Sequence, residues 1–319
     1  MTKGHYYHHT WNEETIMKKI QVYSGIGALP SGLASDNITE GCMVLEGGAF
    51  RGVYTSGVLD ALMEEDINMR CTVGVSAGAL NGVNYVTGQI GRSGRINLRY
   101  RHDSRYVGAK AIRRNKGIIG FDFVFGDMDR VPPLDKKRFM DRSRQFYIVV
   151  TNLKTGKTEF LEKNSGIPPL RAVRASASMP FVSKPVIING TPYLDGGCSC
   201  KIPYQFAIDK GFDKIIVIKT RYAEFRKPVS TRQLRAENIV YRNYPEFAKA
   251  LINSNADYNR QCDELEKLAD EGRIFLITPS ESIDISRLEG DMEKLGHLYH
   301  MGYKDAKANL TALREYLRR

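Results

Sequence analysis

Val73-Gly74-Val75-Ser76-Ala77-Gly78-Ala79 reads G-x-S-x-G between an extended apolar segment and a helix-like one. A serine on a sharp strand-to-helix turn presents its hydroxyl beyond the sheet, with the positive end of the following helix behind it. Glycines on either side leave room where the backbone doubles back, because only a hydrogen fits there. A plain turn of small residues would read the same way. The stretch therefore takes its meaning from what the rest of the chain sets beside it.

Working outward, Cys42–Glu46 is a short apolar run ending in Gly47-Gly48, as a buried parallel strand would. A helical pattern follows from Gly52 to Glu65, then a strand over Met69–Val73 and a helix over Ala77–Val86. Strand, helix, strand, helix predicts βαβ units and the α/β class with a mostly parallel sheet. Downstream, Gln145–Asn152 reads as a strand that turns at Lys154-Thr155-Gly156 into Thr158–Leu161. Pro168-Pro169 opens a helix that runs to Ser178 and is ended by Met179-Pro180. Pro185–Ile188 and Thr191–Leu194 flank Asn189-Gly190, a pair suited to a two-residue type I′ turn, and the second arm runs into Asp195-Gly196-Gly197. Lys214–Ile218 and Arg273–Ile277 read as strands, Pro245–Glu271 as one long helix, and Glu289–Leu317 as one or two helices interrupted near Gly302. The region from Gly88 to Asp129 reads as loops and short helices, expected to form a wall or lid.

The 319 residues suffice for a large core, and 42% hydrophobic with 26% charged residues is the balance of a globular protein. No apolar run reaches the roughly 18 residues that span a bilayer, and the first ten residues lack a secretory signal's apolar stretch. Residues 1–38 read as a poorly ordered leader. Cys42, Cys71, Cys198, Cys200 and Cys262 form an odd, sparse set without zinc spacing, which favours a reduced, cytoplasmic chain over a redox role for Cys198-Ser199-Cys200. The net charge of +11 is concentrated between Arg92 and Lys116, where nine Lys and Arg residues face Asp103 alone. Such a block suits an anionic membrane surface, with peripheral attachment at the inner membrane face, or else is a solvated helix face. No nucleic-acid module accompanies it, so a nucleic-acid partner is not expected.

Three glycine-bearing turns stand at strand ends: Gly47-Gly48-Ala49-Phe50-Arg51-Gly52, Gly74–Gly78 and Asp195-Gly196-Gly197. The crevice beyond the carboxyl ends of the strands is where open α/β sheets bind ligands. A nucleotide-phosphate loop would need Gly-Lys-Ser/Thr after the first turn, and Arg51-Gly52-Val53 stands there instead. Two backbone donors aimed at one oxygen, an oxyanion hole, fit the turn better.

In this order the three motifs resemble those of the patatin-like phospholipase family over about residues 40–222. The tail around Ile285-Ser286-Arg287-Leu288 and Leu298–Ala306 resembles the C-terminal extension of a bacterial branch of it. The resemblance implies a three-layer α/β/α patatin-like fold with a mostly parallel central sheet, a catalytic domain over 39–222, and a helical extension over 223–319 packed on the same domain. It also implies a serine acyl hydrolase of lipid esters, working without metal or other cofactor through an acyl-enzyme. Ser76 would be the nucleophile and Asp195 the general base. Backbone N–H groups of Gly47, Gly48 and Ala49 would form the oxyanion hole, with Arg51 ordering the loop. The family's third loop glycine is Ala49 here. Alanine is neutral there unless the position needs positive φ, and the two preceding glycines favour the neutral case.

Two readings compete with the Ser–Asp pair. Chain order also admits a triad with His297 or His300, although both lie in a helical stretch, and His102 sits in the basic block. Asp195 could simply close its hairpin as an Asx turn. An aspartate base must be buried, so that its proton affinity rises, and must reach the serine hydroxyl. At the level of function, the alternatives are a lipid-binding membrane-surface protein with a vestigial dyad, and an acyltransferase that uses the same dyad.

Overall fold

The computed structural model describes residues 21–126, 128, 130–229 and 234–319. In chain order its elements are β1 (Gly32–Leu33), β2 (Thr39–Leu45), α1 (Gly52–Glu64), β3 (Met69–Val75), α2 (Ala77–Val86), β4 (Gln89–Ile90), α3 (Arg92–Tyr100), α4 (Ala109–Asn115), α5 (Phe121–Val124) and α6 (Lys136–Phe139). There follow β5 (Gln145–Asn152), β6 (Thr158–Glu162), α7 (Pro169–Ser176), β7 (Val186–Ile188), β8 (Thr191–Asp195), α8 (Tyr204–Asp209), β9 (Ile215–Ile218), α9 (Leu234–Val240), α10 (Pro245–Asp270), β10 (Phe275–Ile277) and α11 (Met292–Arg318).

The central sheet runs β10-β9-β2-β3-β5 in parallel, and β6, β8 and β7 add antiparallel strands. Side chains alternate across it, as a pleated strand requires. Met43 and Leu45 of β2, with Ile216 and Ile218 of β9, face the core shared with α1, α3 and α11. Cys42 and Val44, with Ile215 and Val217, face α8 and α10 on the other side. Apolar residues at every position of β2 from Cys42 to Leu45 thus mark a strand covered on both faces, and each such side chain fully buried contributes about 1.5–3 kcal/mol. The result is a three-layer α/β/α fold.

One strand acts as the ruler of the molecule. β5 pairs Val149 with Val75 of β3, and its next residue, Val150, pairs with Asp195 of β8. Because β6 occupies the opposite edge of β5 over Tyr147–Thr151, β3 and β8 share one edge and meet end to end. The residue that follows Val75 is therefore delivered beside Asp195. The β7–β8 turn takes positive φ at both Asn189 (47°) and Gly190 (77°), as a type I′ turn demands.

Two sequence expectations are corrected. Of the leader read over residues 1–38, the first 20 lie outside the described residues, but the remainder is packed on the domain. Tyr23 N–H donates to the Leu98 carbonyl (3.0 Å), Ala34 N–H to the Gly88 carbonyl (2.8 Å), and Arg95 to the carbonyls of Leu29 and Pro30 (both 2.6 Å). Leu29 and Ala34 within it are buried. The second correction concerns α11, which runs unbroken through Gly302. That glycine is a contact point: a Cβ there would lie 2.1 Å from the Tyr54 carbonyl oxygen of α1.

Candidate active site

Ser76 sits between β3 and α2 with φ 56° and ψ −119°, a conformation that costs a non-glycine residue about 1–3 kcal/mol. The surroundings hold it there. Its N–H donates to Ser176 Oγ at the end of α7 (2.9 Å). The flanking glycines have steric reasons: a Cβ on Gly74 would meet the Gly78 carbonyl oxygen at 2.6 Å, and one on Gly78 would meet that of Leu45 at 2.3 Å. No larger residue fits where the turn folds against β2.

Asp195, buried at the end of β8, accepts the Ser76 hydroxyl on Oδ2 (2.7 Å) and the Gly197 N–H on Oδ1 (2.8 Å). The Asx-turn reading and the pairing with serine are thus both realised, one on each carboxylate oxygen. Asp195 N–H in turn donates to the Ser178 carbonyl (2.9 Å), so the residues that end α7 brace both Ser76 and Asp195. Burial raises the carboxyl pKa to about 6, against the pull of the Ser76 hydroxyl, the Gly197 N–H and the more distant Lys201 and Arg287. A carboxylate poised near neutral pH and bonded to a hydroxyl can accept its proton.

The Gly47–Arg51 loop lies alongside. A Cβ on Gly47 would come 3.1 Å from Ser76 Cβ. Phe50 N–H donates to the Arg287 carbonyl (3.4 Å) and Arg51 N–H to the Gly48 carbonyl (3.1 Å), whereas the N–H groups of Gly48 and Ala49 have no acceptor among the described residues. The first N–H groups of α2 are likewise left without intrahelical partners. These are donors available to a developing negative charge. Buried Glu46 fixes the loop's base by accepting from the Thr220 N–H and hydroxyl, and that hydroxyl also reaches the Gly47 carbonyl (3.2 Å). Arg51, whose pKa burial and the neighbouring Arg221 lower to about 10, ties the loop to the Ile285 carbonyl (3.4 Å).

Ala49 corrects an expectation. Its φ is 51°, in the left-handed region, so alanine in place of glycine is not neutral there and costs about 1 kcal/mol. Flexible neighbours do not relieve a residue of its own backbone angle.

Two cavities meet at Ser76. A narrow apolar cleft of about 60 Å³ is lined by Phe50, Leu80, Ile96, Tyr106, Phe125 and Met179. Three of these lie in the Gly88–Asp129 region, which therefore walls the site. A larger cavity of about 420 Å³ opens beside Gly47, Gly48, Asp195 and Gly197.

The histidines lie elsewhere. His300 packs against the rings of Tyr23 and Tyr299, His297 is exposed on α11, and His102 Nε2 contacts the Gly290 carbonyl (2.7 Å). Among the described residues no histidine hydrogen-bonds Ser76 or Asp195. The basic block is also not one surface. Arg92 is buried, bonding Asn84 Oδ1 (2.8 Å) and the carbonyls of Pro132 (2.9 Å) and Val124 (3.3 Å). Arg95 and Arg101 hold loop carbonyls, and Arg105 pairs with Asp103 (2.6 Å). Arg92 is thus withdrawn from any surface contact of the block Arg92–Lys116, whose exposed cations are Arg105, paired with Asp103, and Lys110, Arg113, Arg114 and Lys116 on and after α4. All five cysteines are free thiols.

Sequence reasoning did not single out Ser176, Ser178, Glu46 or Thr220. The two serines stood in Ala175-Ser176-Ala177-Ser178, directly before the Met179-Pro180 stop, and Glu46 directly before Gly47. Small polar residues abutting a motif were the available signal.

Several proteins are similar to this chain in sequence. The chain is 29% identical over 187 residues to the uncharacterised protein YjjU of Escherichia coli K12, covering 56% of this chain and 51% of that one. It is 26% identical over 298 residues to lysophospholipase NTE1 of Phaeosphaeria nodorum, covering 86% and 18%. With the probable lipid hydrolase 463L of Invertebrate iridescent virus 6 it shares 24% over 244 residues, covering 67% and 82%. The chain thus spans about half of YjjU and under a fifth of the fungal lysophospholipase. The crystal structure of VipD from Legionella pneumophila superposes with a TM-score of 0.45 at 13% identity, over 94% of this chain and 72% of that one. A family described as a domain of unknown function, DUF6363, matches residues 244–318. The patatin-like phospholipase family matches residues 43–208, just over half of the 319 residues and the whole span from the Gly47 loop through Ser76 to Asp195, and the chain belongs to that family.

Proposed function

We propose that this protein is a lipid acyl hydrolase that cleaves carboxylic esters through Ser76 and Asp195. The observation that carries the reading is the 2.7 Å contact from Ser76 Oγ to Asp195 Oδ2, at the junction of an apolar cleft with the free N–H groups of Gly48 and Ala49. Its support from relatives is the family itself and the names lysophospholipase and probable lipid hydrolase that two of them carry.

In the reaction, Ser76 Oγ attacks the ester carbonyl carbon as its proton passes to Asp195 Oδ2. The carbonyl electron pair moves onto oxygen, where the loop N–H groups stabilise it. Collapse expels the alcohol, which takes the proton from Asp195 and leaves Ser76 acylated. Water then attacks the acyl carbon, gives its proton to Asp195, and the second collapse returns that proton to Ser76 Oγ. The acyl chain lies in the apolar cleft. A fluorophosphonate probe is expected to label the protein at Ser76 alone, read by peptide mass spectrometry. Labelling of another residue, or none, would sink the reading.

We further propose a peripheral contact with anionic membrane through α4, on the cytoplasmic face suggested by the five free thiols. Lys110, Arg113, Arg114 and Lys116 surround exposed Ile112, and Lys184 N–H bonds the Lys116 carbonyl (2.9 Å), bringing exposed Phe181 and Val182 close. Among the described residues no helix is long and apolar enough to cross a membrane. Each cation near an anionic surface contributes about 1 kcal/mol. Changing Lys110, Arg113 and Arg114 together to glutamate is therefore expected to weaken co-sedimentation with phosphatidylglycerol vesicles by roughly tenfold or more. Unchanged sedimentation would remove α4 from the contact.

A further inference from the structure

The larger cavity beside Ser76 is lined by four cations brought from separate parts of the chain: Arg51 from the loop before α1, Lys201 after β8, Lys227 after β9, and Arg287 before α11. Against them the same cavity presents two carboxylates, those of Asp195 and Glu237. None of the four cations has an ion-pair partner among the described residues. Lys201 Nζ donates to the Ser254 carbonyl (2.9 Å), and Lys227 Nζ stands 4.2 Å from the centre of the Tyr258 ring. The Arg287 side chain is exposed at the rim.

Four cations round one cavity outnumber its two carboxylates and repel one another. Burial lowers Lys201 to about 8, against the pull of Cys198, Asp195 and Asp257 and with Arg287 adding to it, and lowers Lys227 to about 7, with Lys201, Arg51 and Arg287 adding to it against Glu46. An anion in the cavity would relieve both effects.

We propose that Lys201, Lys227 and Arg287 form a subsite for the phosphate of the substrate's leaving group, selecting acyl glycerols with a net anionic headgroup over those with a zwitterionic one. This rests on Ser76 as nucleophile. With the acyl chain in the apolar cleft, the alcohol side of the ester extends into the larger cavity, where a phosphodiester meets the two lysines. A headgroup ammonium would reach the Arg287 rim and be repelled. The C-terminal region matched by the domain of unknown function thereby gains a role, since it supplies Arg287 to the cavity.

The test compares lysophosphatidylglycerol with lysophosphatidylcholine of the same acyl chain, both as monomers, so that the charge of an aggregate surface plays no part. The wild type is expected to favour the glycerol headgroup in kcat/KM. Charge-assisted contacts contribute about 1.5–3 kcal/mol, so Lys227→Gln and Arg287→Gln should each reduce that preference by about tenfold or more. Lys227→Arg should retain it. A wild type without headgroup preference overturns the proposal, as does a proportional loss on both substrates. Inhibition by inorganic phosphate that depends on Lys227, without headgroup preference, assigns the cations to a free anion and overturns it too. If the wild type turns over no ester at all, the hydrolase reading fails instead. The subsite is then judged by calorimetric binding of the same two lysolipids to the wild type and Lys227→Gln, with equal affinities overturning it.

Discussion

Asp195→Asn is expected to lower kcat for short p-nitrophenyl esters by about 10²–10⁴-fold while leaving the protein at least as stable as the wild type. Asparagine is nearly isosteric and keeps an acceptor for the Gly197 N–H, but it cannot take the Ser76 proton. Combining it with Ser76→Ala should cost little more than either change alone, because residues that act as a unit are not additive. The wild type should show the matching pH dependence. The base must be ionised, so kcat/KM falls on the acid side of about 6, the pKa to which burial raises Asp195 in the free enzyme. The stability effect has the opposite sense. A carboxyl raised from 3.8 to about 6 in the fold contributes stability that is fully present below 3.8 and is lost as pH rises through 6. At 1.36 kcal/mol per unit the loss is about 3 kcal/mol. Asparagine carries no such burden. Thermal melting of variant against wild type should therefore show a gain at pH 7 that vanishes near pH 4. Full activity in Asp195→Asn would remove the aspartate from the chemistry.

That trade between stability and charge also marks what the sequence could reveal. G-x-S-x-G was legible because it is a short local pattern and one of its causes is local: a Cβ on Gly74 would meet the Gly78 carbonyl four residues on, although Gly78 owes its identity to Leu45 of β2. The approach of Asp195 to Ser76 was not local. It follows from β5 pairing Val149 with Val75 and Val150 with Asp195, a register that neither motif encodes. The braces from Ser176 and Thr220 were hidden likewise, since each closes a loop of about a hundred residues or more. Ala49 misled because its angle is set by the path from β2 to α1 and not by its neighbours' freedom. Arg92 misled because a buried arginine satisfied by two carbonyls and an asparagine has the same letter as one in solvent. Element boundaries were most legible where two patterns agreed: Ala77–Val86 and Gln145–Asn152 appear with the limits their periodicity predicts.

Gly302→Val is expected to produce the largest loss of stability of any single change discussed, about 4 kcal/mol or more. Helices α1 and α11 cross where two glycines let the backbones touch: a Cβ on Gly302 would lie 2.1 Å from the Tyr54 carbonyl oxygen, and one on Gly57 would lie 2.0 Å from that of Tyr299. Overpacking alone costs about 1–3 kcal/mol. Here the obstacle is backbone on a helix, which cannot swing aside as a side chain can. Separating the helices would also strain the buried bonds from Tyr54 to Asp305 (2.9 Å) and from Tyr299 to Asp60 (2.6 Å), and an abandoned buried partner costs about 1–3 kcal/mol more. Gly27→Ala is the control, because a Cβ at Gly27 meets nothing within 4 Å and its backbone angle is ordinary, so the change should stay within about 0.5 kcal/mol. Urea unfolding of both variants decides the matter, and a Gly302→Val midpoint equal to the control's would refute the crossing. The consequence reaches the site, since α1 begins directly after the Gly47–Arg51 loop. A variant that keeps its fold but moves α1 should lose kcat while retaining the Ser76–Asp195 contact, because β3, β5 and β8 set that contact and α1 sets only the donors facing it.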